Sequence, residues 1–599
     1  MKSSRWRRIS ESTKTVWKLL TWNWTAILLF EVIYKILLTV MAQFGESMII
    51  YALEAADVNY LTNQNILEVL KHPVSLISLL AFFILFIYVS FVEIAAIILY
   101  CDCASEGRKT GVRWLLLHSL KRALAIFQPK NLGMSIVVLL LMPLTGIVFV
   151  SGPLGSLKIP GFILEFIKGQ PLLGFAYFGI TLLFLFYFLR WIFSIPEFVL
   201  HPCSFKEARI KSVKLGKRKR IRIFLFVLIG SLFIHVMALG SKAIYVLSLL
   251  FWTKFTAGPG EAEYAFWFYY YRQSAVGTIL FASVQAVFLI SVVMAAYYKY
   301  QGITIDTVKR KGTWRKKAYK CLQVLASFFC VTLYAEMIYP LQNDIFKNEN
   351  IQIVAHRAGA VFAPENTLAA LKEAIRSGAD AAEIDVQQTK DGVLVVMHDT
   401  DFKRIAGVSQ KIWDVTYEEC RRYDIGKHLM QGFEGEYLPT LEDMLKEADG
   451  KINLMIELKS SGHEQKLEEK TVELIRRYHF ESQCTVASMD YSILERVKEL
   501  DPHLKTVYIA ALAYGDMTEL NAADAFSIEE TFITPQLLAQ ASVLDKEVYA
   551  WTINDEKSMK RMIKMQVNGI ITDNTYYTSY ILNTKGQSEW VMDLAEKVL

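Results

Sequence analysis

The sequence predicts an α-helical transmembrane bundle over residues 1–345, followed by an α/β TIM (β/α)8 barrel over residues 346–599. Three observations carry this expectation. Apolar runs long enough to cross a bilayer crowd the first half and are missing from the second. Lys and Arg alternate between heavy and light in the loops that join those runs. The second half reads as short β-rich runs separated by helical patterns. At 599 residues the chain is too long for one ordinary core. Its hydrophobic share of 53% is high and its charged share of 21% is somewhat low for a soluble protein, and the apolar excess lies in the first half.

A helix needs about 20 apolar residues to span the hydrocarbon layer. Seven runs meet that length, at roughly 22–43, 74–99, 132–152, 171–195, 223–250, 275–297 and 320–339. The first contains Glu31 and Lys35 and is followed by no A-x-A site, so it is expected to remain as a span. The fifth is long and would tilt or split near Gly240. Segments 1–21, 101–131, 200–222 and 299–320 hold 6, 6, 9 and 8 Lys and Arg, whereas 44–72, 153–170 and 253–274 hold 1, 2 and 2. Short positive loops stay in the cytoplasm. The contrast of 29 against 5 therefore places the N-terminus inside. Seven crossings then bring the barrel to the outer side of the plasma membrane.

Other features fit that frame. "YAFWFYYY", Tyr264–Tyr271, falls on a predicted outer loop at headgroup level. Trp114–Phe127 reads as an amphipathic segment along the inner surface or a buried connection. "KRKRIR" at 217–222 is explained by topology and anionic headgroups rather than by nucleic acid. Among the ionisable residues within runs, Glu31 and Lys35 are four apart and can pair on one helix face, while Glu93 and His235 suit bonds between helices. A transport path is disfavoured, because nothing repeats between the halves. The seven cysteines form no disulfide framework, and the spacing of Cys420 and Cys484 gives no support to a bridge.

Eight candidate strands follow: 351–356, 381–386, 452–458, 484–489, 505–510, 525–529, 547–553 and 569–573. Helical patterns such as "NTLAALKEAIRSG", which Pro364 would open, and "EQKLEEKTVELIRRYH" lie between most of them. In such a barrel the site forms at the carboxyl ends of the strands. His356 and Arg357 close the first strand, Glu383 and Asp385 the second, Glu457 and Lys459 the third. In "EIDVQQTKDGVLVVMHD", Asp391–Gly392 predicts a two-residue hairpin turn. Pairing outward from it sets Val393 against Lys390 and His398 against Asp385. Three carboxylates offer hard oxygen ligands suited to Ca2+ or Mg2+. Two histidines suit general acid and base work, and Arg357 with Lys459 suits an anion such as phosphate. These residue types point to metal-assisted phosphodiester cleavage. His428, His463, His479 and His503 lack such a setting and read as surface residues.

"AHRAG…APENT", "EIDVQQTKDGVLVVMHD", "IELK", "WTIN" and "GIITD" together resemble the glycerophosphodiester phosphodiesterase family over about 349–599. The membrane half resembles the integral-membrane branch of that family by its architecture. The resemblance implies hydrolysis of glycerophosphodiesters to glycerol phosphate and an alcohol. It makes His356 and His398 the acid–base pair and gives the divalent cation to Glu383, Asp385 and Glu457. Arg357 and Lys459 would hold phosphate, Glu365 and Asn366 would orient groups near the glycerol, and Trp551 would form a wall. It further implies attack by the substrate's own glycerol hydroxyl, through a cyclic phosphate that water opens. The expected partners are a glycerophosphodiester or lipid-derived substrate and membrane lipids, with no nucleic acid. Three alternatives stay open: lysophospholipase D-type cleavage or glycerol-phosphate wall polymer hydrolysis, a transporter with the barrel as sensor, and an inactive binding module. The family pattern has glycine where this chain has Ala358, and Gly359 is expected to fill that role at the next position.

Overall fold

The computed structural model describes residues 2–58, 60–61, 65–140, 163–164, 167, 170–303, 305, 318, 321–325, 327, 329, 351–511, 514–515 and 520–583, apart from 257–261. It divides into two compact units, one of residues 1–49 with 77–339 and one of residues 50–76 with 340–599.

In the first unit, four helices among the described residues are long and apolar enough to cross a membrane. They are Pro73–Ser105, Leu172–Leu200, Arg220–Thr256 and Leu280–Gln301. The pair Ser12–Thr21 and Trp24–Leu38, bent by 68°, makes a fifth if counted as one span. The predicted third run is described only at its start, in Leu132–Leu140, and most of the seventh lies outside the described residues. The fifth run does not split: Arg220–Thr256 passes Gly240 as one helix. Tyr264–Tyr271 differs from the expectation, because it is the opening of the helix Ala262–Gln301 rather than a loop. Lys35 makes a contact that its spacing from Glu31 did not foretell. Its ammonium faces Glu93 on the neighbouring helix at 3.7 Å, so it ties two helices together. His235 bonds the carbonyl of Ser231 on its own helix.

The second unit is a closed barrel. Eight parallel strands run Gln352–Ala355, Ala381–Gln388, Asn453–Leu458, Cys484–Ser488, Thr506–Ala510, Ala525–Glu529, Glu547–Trp551 and Gly569–Thr572. The last pairs with the first, and the first with the second, so no edge is left open. All eight sequence-predicted strands are present. Strand alternation divides the side chains. Val354, Ala381, Met455, Ala487, Val507, Ile509, Ala525, Tyr549 and Ile571 pack together as strand residues alone, which is the barrel interior. The intervening residues, such as Ala382, Ile384 and Ile456, pack instead with helix residues such as Leu371 and Met444.

Two local expectations are corrected. The hairpin pairs Val386 with Val396 and Gln388 with Leu394, one residue out from the two-residue turn. Thr389 bonds Val393, Gly392 returns its N–H to Thr389, and Gly392 sits at φ +80°, giving a three-residue loop closed by a left-handed glycine. Met397, not His398, therefore pairs with Asp385. The first barrel helix is Leu368–Arg376, and its N-cap is Thr367, whose hydroxyl accepts from Ala370 N–H, so Pro364 stands in the preceding turn. The four remaining histidines, 428, 463, 479 and 503, are exposed or half-exposed, as expected of surface residues. Cys420 and Cys484 are both free.

The barrel unit also includes a piece of the first interhelical loop. Tyr60–Leu61 pairs antiparallel with Tyr514–Gly515, beyond the end of the strand Thr506–Ala510. The Tyr60 ring meets Tyr491 and Tyr508 edge-on, with centroids 6.2 and 6.3 Å away. Asn65 donates to the Tyr60 carbonyl at 2.7 Å and closes the loop.

Candidate active site at the carboxyl ends of the strands

Inward parity sets which side chains reach the site. Counting by twos from the interior residues places Glu383 and Asp385, Glu457 and Lys459, Glu529 and Trp551 on the inner face near the carboxyl ends. His356 and Asp573 continue the same parity just past the first and eighth strands. The cluster is thus a product of strand register more than of loop shape.

Glu383, Asp385 and Glu457 are buried, and one carboxylate oxygen from each lies within 4.8 Å of the others. Lys459 Nζ sits against them, 2.8 Å from Asp385 Oδ1 and 2.6 Å from Glu457 Oε1. Arg357 approaches from the other side, with Nε 3.9 Å from Asp385 Oδ2 and its backbone N–H donating to Glu383 at 2.7 Å. Asn366 donates to Asp385 at 2.7 Å and in turn accepts the Asp385 N–H.

Burial raises the pKa of Asp385, but Lys459, then His398 and Arg357, outweigh it and hold the acid well below the usual carboxylate range. Glu383 goes the other way: burial, with Asp385 and Glu457 beside it, pushes it up to about 8. Burial likewise raises Glu457. Three buried carboxylates thus crowd one ammonium, and the protein's own cations leave negative charge uncompensated. That imbalance and the all-oxygen donor set fit a hard divalent cation.

Each histidine leans on its own carboxylate. His356 Nδ1 is 2.7 Å from Asp573 Oδ1, and Asp573 also accepts from Asn554 Nδ2 at 2.6 Å. Burial lowers the His356 pKa, but Asp573 and then Glu383 overcome this and raise it above its ordinary 6.5. His398 Nδ1 is 2.9 Å from Asp399 Oδ1. Gln387, buried in the second strand, donates to the carbonyls of Met397, His398 and Asp399 and pins that turn. This brings His398 to the site without the pairing expected for it.

A charged chain connects the two histidine turns. Arg357 Nη1 meets Glu365 at 3.0 Å, Arg404 holds Glu365 at 2.6 and 2.9 Å, and Arg404 also grips Asp399 at 2.8 and 3.1 Å. Burial raises the Glu365 pKa, but Arg404 and Arg357 bring it below its ordinary value. Arg357 Nε is buried with no hydrogen-bond partner among the described residues. The turn that aims these groups is left-handed at three consecutive positions: Arg357 at φ +49°, Ala358 at +62° and Gly359 at +102°. Trp551 is half-buried on the inner face, and its indole N–H donates to the Ser527 carbonyl at 3.0 Å.

The cluster therefore gathers His356, Arg357, Glu383, Asp385, Glu457 and Lys459, with Glu365 and Asn366 bonded to it. Asp573, Asn554, Asp399 and Arg404 were not foreseen. Asp573 and Asp399 had a signal, since each ends a strand or turn that already carried a motif, "GIITD" and "MHD". Arg404 had none, because its partners are 5 and 39 residues away.

Residues 356–576 match a family model described as glycerophosphoryl diester phosphodiesterase family, and residues 13–338 match one described as membrane domain of glycerophosphoryl diester phosphodiesterase. A glycerophosphodiester phosphodiesterase of Caldanaerobacter subterraneus subsp. tengcongensis is 36% identical over 232 residues, 37% of this chain and 93% of that one. One from Bacillus altitudinis is 31% identical over 236 residues, 37% of this chain and 94% of that one. A solved structure of an Oleispira antarctica phosphodiesterase in complex with the product sn-glycerol-3-phosphate is similar over 39% of this chain and 97% of its own. There the identity is 25% and the TM-score 0.37.

Proposed function

The chain belongs to the glycerophosphoryl diester phosphodiesterase family, and from that premise we propose that it hydrolyses glycerophosphodiesters to glycerol phosphate and an alcohol at the outer face of the plasma membrane. The observation that carries this reading is the juxtaposition of two carboxylate-backed histidines with three clustered buried acids.

Glu383, Asp385 and Glu457 would hold a divalent cation, Ca2+ or Mg2+. Such an ion, when bound, draws charge from phosphate oxygens and eases deprotonation of a hydroxyl near it. The remaining tasks fall to the chain's own side chains. Arg357, with its buried Nε unspent, and Lys459 take the anionic phosphate. His356 and His398 divide the proton transfers: one accepts the proton of the attacking glycerol hydroxyl, and the other protonates the departing alcohol. Water then opens the cyclic phosphate with the roles reversed. Asp573 and Asp399 fix each ring through Nδ1, which leaves Nε2 for the proton in flight. Glu365 and Asn366 steady the turn around the glycerol, and Trp551 lines the inner wall.

Two observations support the proposed topology. The low Lys and Arg content of residues 44–72 supports an outer position for that loop, and its pairing through Tyr60–Leu61 with Tyr514–Gly515 supports the same side for the barrel. The same reading has the N-terminus in the cytoplasm. The test uses the full chain in detergent on glycerophosphocholine, with and without Ca2+ or Mg2+, beside His356→Ala. Cation-dependent choline release that the substitution abolishes supports the reading. Cation binding with no turnover of any diester sinks it. A reporter fused after Leu599 that is active only in the cytoplasm would overturn the topology.

A further inference from the structure

The first unit carries a cavity that the barrel chemistry does not touch. It measures about 430 Å3 and lies between the helices Pro171–Trp191 and Phe205–Gly216. Tyr187, Arg190 and Trp191 line it from the first helix, where spacings of three and four put them on one face. Arg209, Ile210 and Val213 line it from the second. The Arg209 guanidinium stands 5.8 Å from the Trp191 ring centroid and 5.9 Å from that of Phe205, which holds it in place without using up its N–H groups. Neither Arg190 nor Arg209 has a carboxylate partner among the described residues. Residues 171–222 hold only two acids, Glu197 and Glu207, and both are engaged elsewhere. Glu197 is buried against Lys211 at 2.6 Å and the Tyr297 hydroxyl at 2.7 Å. Glu207 accepts the N–H and the hydroxyl of Ser204 at 2.7 and 2.8 Å. The two guanidiniums therefore line the cavity with their charge uncompensated.

A second observation indicates the kind of anion. The span Leu172–Leu200 is the least covered of the four candidate spans, with 6% of its most apolar stretch buried by the rest of the protein. Leu182, Leu183 and Phe186, about one to two turns before Arg190, are exposed. Bare apolar surface thus runs along the helix up to the two arginines. Tyr187 and Trp191 stand at that junction, and such rings favour the headgroup level of a bilayer. We propose that the cavity binds the headgroup of an anionic phospholipid, with the phosphate gripped by Arg190 and Arg209 and the acyl chains laid along Leu182, Leu183 and Phe186. The lipid is a bound ligand of the membrane unit and not a substrate of the barrel. Its site is also distinct from the basic run 217–222, which brings charge but no residue to the cavity lining.

The test uses the full chain in detergent and native mass spectrometry, titrating dioleoylphosphatidylglycerol or dioleoylphosphatidylcholine in the presence of a chelator. A single phosphatidylglycerol should be retained per chain, at least about tenfold more tightly than phosphatidylcholine. The double variant Arg190→Gln, Arg209→Gln should weaken that binding at least about tenfold. The control Lys217→Gln, Arg218→Gln removes as much charge from the adjacent run and should change it by less than about twofold. Equal losses in the two double variants would mean diffuse attraction and overturn the site, as would equal affinity for the two lipids. Full displacement of the lipid by millimolar inorganic phosphate would mark a free-anion site and overturn the lipid as its ligand. If the glutamine pair does not fold, Arg209→Lys keeps the charge and decides the matter. A severalfold loss supports the two-pronged grip, and unchanged binding overturns it.

Discussion

Asp573→Asn isolates the carboxylate behind one histidine. The bond it breaks is a charge-assisted one of 2.7 Å, between side chains only 22% and 27% exposed. Such bonds contribute about 1.5–3 kcal/mol. If that energy is used to hold the imidazole as it gains or loses its proton, kcat/KM should fall by roughly 10- to 150-fold. The pH dependence gives a second readout with a fixed sign. Asp573 is what raises the His356 pKa against burial. Without it, the imidazolium is lost at lower pH, so the limb of the rate profile that belongs to His356 moves to lower pH, whether the ring acts as acid or base. The same linkage applies to stability. A raised histidine contributes below its ordinary 6.5, and that contribution fades as pH climbs through the folded value. The variant should lose stability on the acid side and little above it. Steady-state kcat/KM on glycerophosphocholine across about pH 5–9 decides the matter. A limb that stays put or moves up, with a rate within about twofold, would refute the pairing as a working one.

Further outcomes follow from other contacts. Glu457→Gln removes one oxygen donor and one Lys459 partner, so the Ca2+ or Mg2+ concentration for half-maximal activity should rise at least about tenfold, read by titration after chelation. Arg404→Leu cuts the link between Glu365 and Asp399 and should reduce kcat/KM by about tenfold, while Arg404→Lys recovers only a fraction because one fork holds both acids. Ala358 stands at φ +62° with its methyl fully buried. Relief of about 1 kcal/mol of left-handed strain and loss of about 0.8 kcal/mol of methyl burial nearly cancel in Ala358→Gly. Barrel unfolding should therefore shift little, whereas the β-branched Ala358→Val should destabilise by roughly 2 kcal/mol or more. His398→Ala should abolish turnover without altering cation affinity, as followed by calorimetry.

Legible in the sequence was whatever repeats with the strand period. Glu383, Asp385, Glu457 and Lys459 reach one point because alternation and barrel closure leave them nowhere else to go. His398 came to the site by another route. A two-residue turn was the simpler reading of Asp391–Gly392, yet the left-handed position falls on Gly392 after a type of turn that adds one residue, and Gln387 then carries the histidine inward. Arg404 shows the limit more sharply. Its value lies in joining Glu365 to Asp399 across a gap set only by tertiary packing, and no local spacing encodes that. In the membrane half, the hydropathy of the spans was plain. The contact of Lys35 with Glu93 was not, because helix packing rather than helix periodicity brings that carboxylate near. Tyr264–Tyr271 lies between two apolar runs and so reads as a loop, but nothing there breaks a helix.

Tyr60 and its partner across the strand pair, Gly515, are about 450 residues apart in the chain. During synthesis the loop that holds Tyr60 is laid down early, and the surface it must complete does not exist until the barrel is nearly finished. A barrel cut free at residue 346 would be short of that patch, with the Tyr491 and Tyr508 rings and the backbone of Tyr514–Gly515 left uncovered. Fragments prepared for assay or crystallisation should therefore carry residues 56–72 back in, fused or added as a peptide. A gain in solubility or thermal tolerance on adding that peptide would show how much of the catalytic unit is kept in the stretch of gene that encodes the membrane anchor.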